Sequence, residues 1–125
     1  GGRQPVLKSD WVTAGVHVSA IGTDTRGKIE VETALFPRVT LVVDDGVQAA
    51  SIGESQSAVA AGLLSREGPW TTLGEVLAGR KPGRTGAEDI TLFDATGLAF
   101  QDLVAASVAI RLAGERGMGY RVPLS

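Results

Sequence analysis

The sequence predicts an α/β fold built on parallel strands, and three observations predict it. Three short apolar, β-branched runs, at 16–21, 39–43 and 90–93, read as strands. Stretches with apolar residues at helical spacing lie between them and after the last. Each run empties into a polar turn: Gly22-Thr23-Asp24, Asp44-Asp45-Gly46 and Asp94-Ala95-Thr96-Gly97. Strands alternating with helices imply a parallel sheet with helices packed on it. Ligands of open α/β sheets bind beyond the carboxyl ends of the strands, so these turns are where chemistry is expected.

In chain order, Pro5-Val6-Leu7 is a candidate short strand, and residues 8–15 read as a loop or helical turn capped by Ser9 or Asp10. Trp11 is expected to tuck over the sheet, with cofactor shielding as the functional alternative. The run 16–21 is apolar at nearly every position, as a central strand covered on both faces would be. Residues 32–36 suit a short helix stopped by Pro37. A helix over 47–53 takes Asp45 as its N-cap, and a second helical stretch covers 54–66. Thr72 with Glu75 three residues on is a capping-box pattern for a helix over 73–78, ended by Gly79. Residues 80–88 form a polar, glycine-rich loop. The longest helix spans 98–116, with a broad apolar stripe that predicts a packed helix, and Gly117 and Gly119 stop it. Residues 120–124 suggest a terminal strand, at an edge because of Pro123.

Composition narrows the function classes. The 125 residues suit one small domain; 43% are hydrophobic and 21% charged, ordinary for a globular protein. A net charge of −2 with scarce aromatics and no basic patch argues against nucleic acid as a partner. No cysteine is present, which removes disulfides and thiol chemistry, and a single histidine makes a structural zinc site untenable. No apolar run reaches membrane-spanning length and no signal-like stretch opens the sequence, so no membrane partner and a cytoplasmic location are expected.

The stretch HVSAIGTDTRGKIEVETALFPRVTLVVDD, from His17 to Asp45, resembles the His-x-x-x-x-Gly-x-Asp-x-x-Gly-Lys-x-Glu-Leu segment of the ornithine cyclodeaminase/mu-crystallin family, with Val31 in place of the leucine. A second block, LAGRKPGRTGAEDITLFDATGLAFQDLVAA, resembles that family's Gly-Arg-x-x-Gly-Arg-Thr…Ile-Thr-Leu-Phe-x-Ser-x-Gly-Leu-Ala-x-x-Asp stretch. The resemblance implies the second half of a doubly wound (Rossmann-like) parallel sheet, followed by a long helix and a short strand. It divides the chain into 1–97, the C-terminal half of a dinucleotide-binding domain, and 98–125, a return to a substrate and dimerisation domain. It further implies NAD or NADP as cofactor, a small amino acid, imine or keto acid as partner, and a homodimer formed through regions outside this sequence. The activities it implies are cyclodeamination, amino-acid dehydrogenation and ketimine reduction. A non-catalytic mu-crystallin-like protein that binds NAD(P) or a small ligand is the alternative.

Asp24 is the leading catalytic candidate. A carboxylate at a strand end, four residues before Lys28, is placed to move a proton at a substrate nitrogen or a water. Spacing alone favours a turn cap; the resemblance makes Asp24 the family's acid/base. Ile21, Gly22 and Thr23 would present backbone to the nicotinamide end of a dinucleotide, Gly22 because it lacks a Cβ. Lys28 matches the family's cofactor-contacting lysine; otherwise it is a solvated surface lysine. Ala95 stands where the family often has a cofactor-contacting serine, which removes a hydroxyl there. Thr96 is a candidate substrate contact, or with Gly97 a cap for the long helix. Glu30 is expected to pair with a cation or cap a turn. His17 suits a hydrogen-bonded structural role. Arg80 and Arg84 would grip a phosphate or carboxylate, or tie down a surface loop by ion pairs. Asp44 and Asp45 are too few ligands for a metal and suit a helix cap. No Gly-x-Gly-x-x-Gly follows a strand anywhere in the chain, so the pyrophosphate-binding loop is not encoded here.

Overall fold

The computed structural model describes residues 2–120 and 122–123. Three parallel strands form its sheet: β1 (His17–Ala20), β2 (Val39–Val43) and β3 (Ile90–Asp94), in the order β1-β3-β2. Leu92 of β3 lies beside Val18 on one flank and Leu41 on the other. The last strand in sequence is thus the central one. Parallel neighbours need a crossover, and β2 reaches β3 through helices α1 (Gly46–Ser51), α2 (Ser55–Ala60) and α3 (Leu73–Leu77). Leu92 and Val43 are fully buried from the sheet. Leu92 packs with Val12, Val31, Leu35, Phe36 and Ala58 in the core. Helix α4 (Ala99–Glu115) follows β3.

β1 is an edge strand of this sheet rather than a central one: His17 and Ser19 face solvent and only Ala20 is buried. Its exposed positions are the polar ones, while Val18 and Ala20 turn toward the core. The segment expected as a helix before Pro37 is a 3-10 turn, Thr33–Arg38, that runs through the proline. So short a turn needs few backbone donors, and Pro37 costs it none. Pro5-Val6-Leu7 yields a single parallel bridge, Leu7 to Val31. Ser9 and Asp10 lie inside a 3-10 turn, Ser9–Trp11, and do not cap it; Trp11 stands 65% exposed instead of lying over the sheet. α2 stops at Ala60, well before the expected 66. Gly62 takes a positive φ and the N–H groups of Leu63 and Leu64 fold back onto the Ala58 carbonyl. The Asp45 cap on Gln48 and the Thr72–Glu75 capping box are both present.

α4 departs most from its expected packing. None of its residues is buried, and Phe100, Leu103, Val104 and Ile110 are each more than half exposed. Its apolar residues surround the helix instead of gathering in one stripe, so no single face meets the sheet. Gly117 and Gly119 adopt positive φ beyond its end. Tyr120, Val122 and Pro123 belong to no strand, and Arg121 and Leu124 of the expected terminal strand lie outside the described residues.

Two wholly buried carboxylates tie the strand tips to α2. Asp94, the last residue of β3, accepts the N–H of Glu54 at 3.0 Å on Oδ1. Its Oδ2 accepts the N–H of Ser55 at 2.8 Å and the Ser55 hydroxyl at 2.7 Å. It thereby satisfies the orphan donors at the start of α2. Glu54 turns back toward β1 and accepts the Thr23 hydroxyl, the Glu30 N–H at 2.8 Å and the Val31 N–H at 3.1 Å. Neither carboxylate has a cation partner among the described residues. Burial pushes both above their ordinary values, outweighing the hydrogen bonds that favour the charged forms. Gly53 makes this approach possible: a Cβ there would lie 2.7 Å from Asp94 Oδ1 and 2.8 Å from the Ala49 Cα.

Gly53→Ala should destabilise the chain by about 1–3 kcal/mol in denaturant titrations, since the Ala49 backbone cannot yield as a side-chain tip would. A carboxyl with a raised native pKa holds its proton longer in the folded state. Its contribution is therefore largest at or below the ordinary value and falls as pH rises through the native one. For Asp94 that window opens at 3.8 and extends upward. The stability cost of Asp94→Asn, measured across that window, should be greatest at its acid end and shrink as pH rises.

Candidate functional site

Two loops leave the sheet side by side. β1 and β3 end in register, Ala20 against Asp94, and the Ala95 N–H donates to the Ala20 carbonyl at 2.9 Å. Ile21, Gly22 and Asp24 follow one strand; Ala95, Thr96 and Gly97 follow the other. The structure therefore brings the candidates Ile21, Gly22, Asp24, Lys28, Ala95 and Thr96 to the carboxyl end of two adjacent strands.

Asp24 is exposed, its side chain 62% accessible. Its Oδ1 accepts the Lys28 ammonium at 3.1 Å and the Thr25 hydroxyl at 3.1 Å. Both contacts use one oxygen, and neither engages Oδ2. The Lys28 hydrogen bond, then that from Thr25, holds the Asp24 carboxyl below its ordinary value, so it is ionised at neutral pH. Lys28 is only 23% exposed and is the Asp24 partner, not a freely solvated lysine.

Gly22 sits beneath Glu30. A Cβ on Gly22 would collide with the Glu30 carboxylate. Glu30 makes neither the ion pair nor the turn cap expected of it. Its acid group instead lies half-buried against the strand tip, without a hydrogen-bond partner for its side chain among the described residues. Ile21 beside it is 72% exposed, an apolar side chain standing at the mouth of the site. Thr23 is fully buried, its hydroxyl given to Glu54, so no part of it lies on the surface.

Thr96 does not cap α4, whose first residue follows Leu98; the Leu98 N–H is met by Gln101 Oε1 at 3.3 Å. Thr96 belongs to a latch on β2. Asp44 Oδ2 accepts the N–H groups of Thr96 at 2.7 Å and Gly97 at 2.9 Å, and the Thr96 hydroxyl lies 3.1 Å from both Asp44 Oδ1 and Gln48 Oε1. Asp44 fixes the second loop while Asp45 caps α1, which explains the acidic pair without a metal. Among the described residues no cluster of three His, Asp or Glu side chains is arranged to hold an ion.

The remaining candidates lie away from this site. His17 Nδ1 lies 2.7 Å from the Thr91 hydroxyl, on an exposed face. Arg84 donates to the carbonyls of Asp89 at 2.6 Å and Val16 at 3.3 Å and to the Thr91 hydroxyl at 3.1 Å. It ties its loop to β1 and β3 through hydrogen bonds, not ion pairs. Arg80 lies in the exposed part of that loop. Sequence reasoning missed Glu54. Its only signal is a charged residue after a glycine in an otherwise neutral stretch, Gly53-Glu54-Ser55.

No helix of the described residues is long and apolar enough to cross a membrane. A model of the ornithine cyclodeaminase/mu-crystallin family matches residues 2–113. The chain is 42% identical over 120 residues to the alanine dehydrogenase of Archaeoglobus fulgidus, covering 96% of this chain and 37% of that protein. It superimposes on the iminosuccinate reductase of Paracoccus denitrificans in complex with NAD+ with a TM-score of 0.88 and 41% identity, over 98% of this chain and 38% of the other. The Thermococcus litoralis Delta(1)-pyrroline-2-carboxylate reductase, in complex with NADH and L-proline, gives a TM-score of 0.86 and 30% identity, over 96% and 38% of the two chains. The chain thus spans less than two fifths of the length of these relatives. With its two motif blocks meeting at adjacent strand ends and the family model matched along most of its length, the chain belongs to the ornithine cyclodeaminase/mu-crystallin family.

Proposed function

We propose that this chain supplies the nicotinamide-side half of the active site of an NAD(P)-dependent enzyme acting on a small amino acid or cyclic imine. The observation that carries the reading is Asp24: an ionised carboxylate on an exposed loop beyond a parallel strand, anchored through one oxygen and open at the other. The relatives solved with NAD+ or NADH, one of them also with L-proline, support the cofactor and substrate class.

The residues present suit one end of a dinucleotide. Exposed Ile21 offers an apolar platform for a planar ring, and the backbone of Gly22 and Ala95 lines the strand tips beside it. Nothing here suits the pyrophosphate: no glycine-rich phosphate loop is encoded, and Asp45 places an acid at the start of α1. Bound nicotinamide supplies hydride exchange at the carbon bearing nitrogen. Asp24 takes a proton from a substrate ammonium or an attacking water through its open oxygen and returns it in the reverse direction. Lys28 favours the ionised form of Asp24 and anchors one of its oxygens. Thr96, pinned by Asp44, contacts the substrate. Residues 1–97 form the second half of the dinucleotide-binding domain. Residues 98–125 lead to a substrate and dimerisation domain, a reading supported by α4 standing clear of the sheet. The protein works as a homodimer in the cytoplasm.

In the protein as the cell makes it, Asp24→Asn should lower kcat by about 10²–10⁴-fold while NAD(P)H affinity, read by calorimetry, stays within about twofold. Unchanged turnover would remove Asp24 from the mechanism. Cofactor binding with no turnover of any amino acid or imine would favour the non-catalytic binding protein. Lys28→Met removes the main cause of the lowered Asp24 pKa, so the acid limb of the kcat/KM profile should move to higher pH.

A further inference from the structure

The loop that carries Asp24 is not held by its own backbone. Within residues 24–29 the single internal backbone hydrogen bond runs from the Lys28 N–H to the Thr25 carbonyl. Its far end is tied to the N-terminal segment, where the Ile29 N–H donates to the Gly2 carbonyl at 3.1 Å and the Glu30 carbonyl accepts the N–H groups of Val6 and Leu7 at 2.9 Å. The support from beneath comes from two side chains at the start of α2. Glu54 gathers both ends of the loop on one buried carboxylate, taking Thr23 before it and the N–H groups of Glu30 and Val31 after it. Gln56, two residues on, fills the middle. Its Oε1 accepts the Gly27 N–H at 2.7 Å. Its Nε2 donates to the carbonyls of Thr25 and Lys28, each at 3.2 Å, and to Gly53 at 2.9 Å.

We propose that Glu54 and Gln56 are positioning residues for Asp24: together they template the loop so that the Asp24–Lys28 pair is presented at a fixed place beyond β1. The proposal rests on the catalytic reading of Asp24. Glu54 touches neither Asp24 nor any exposed surface, so it acts only through the loop. All three groups facing Glu54 are donors, which only a carboxylate can accept together. An amide at that place would turn an N–H₂ toward at least one of them. Gln56 is suited for the opposite reason, since it faces one donor and three acceptors. Misplacing a catalytic group by about 1 Å costs on the order of 10²-fold in rate, so a loosened template should be read in kcat.

The test uses Glu54→Gln and the half-buried Gln56→Ala in the protein as the cell makes it. Each should lower kcat by about 10–100-fold with the KM for NAD(P)H within about twofold. In an Asp24→Asn background neither should lower it further, because residues acting through the same group are not additive. Beyond any change at the amides of β2 and β3, amide exchange should quicken at Glu30 and Val31 in Glu54→Gln and at Gly27 in Gln56→Ala. Unchanged exchange at these amides, or kcat losses that multiply with Asp24→Asn, would overturn the proposal. If Glu54→Gln fails to fold, Gln56→Ala carries the same comparisons. An unaltered protein with no NAD(P)-dependent turnover would sink the functional reading instead, and the exchange measurements would still decide whether α2 templates the loop.

Discussion

Two carboxylates buried without cations govern how this fold presents its strand ends. An isolated buried charge is costly, and Asp94 and Glu54 tolerate burial because each accepts three hydrogen bonds. Those donors are not incidental. For Asp94 they are the unsatisfied N–H groups and a hydroxyl at the start of α2. For Glu54 they are the two ends of the loop after β1. Satisfying the charges and fixing the geometry are therefore one event. Gly53 admits the contact, since any side chain there would press Asp94 or the α1 backbone.

The same device recurs at Asp44, which accepts from Thr96 and Gly97 and so fixes the loop after β3 from the tip of β2. Each loop at the candidate site is thus held by an acid from an element remote in sequence. The sheet sets where the loops begin, through the Ala20–Asp94 register, and the acids set where they go. In the loop after β1 this ordering buries Thr23 and leaves Ile21 and Asp24 accessible.

Much of this was legible in the sequence. The three strands announce themselves as β-branched runs, and Asp45 and Thr72 are caps because their partners lie three residues away. Local signals of that kind survive without knowledge of the fold. The Asp24–Lys28 pair was readable for the same reason, being four residues apart. Glu54 was not readable, since its partners Thr23, Glu30 and Val31 lie more than twenty residues away and nothing nearby marks it. Nor was the seat of Glu30 over Gly22. α4 failed in the opposite sense: its apolar content speaks of coverage, and none of its residues is buried among the described residues. Composition reports what a segment can bury, not what lies next to it.

The two properties that the proposed proton transfer asks of Asp24, charge and position, are controlled separately here. The charge of Asp24 is set within its own loop by Lys28 and Thr25, in contact with solvent, where added salt weakens the ion pair. Its position is set from beneath by α2, chiefly through Glu54, which salt does not reach because it is buried. Had one residue carried both duties, it would have had to be buried and exposed at once: buried to fix the backbone, exposed to meet a substrate. Dividing them lets Glu54 accept the cost of desolvation while Asp24 keeps a low pKa and an open oxygen. The acid that is strained by its surroundings is the one kept away from chemistry.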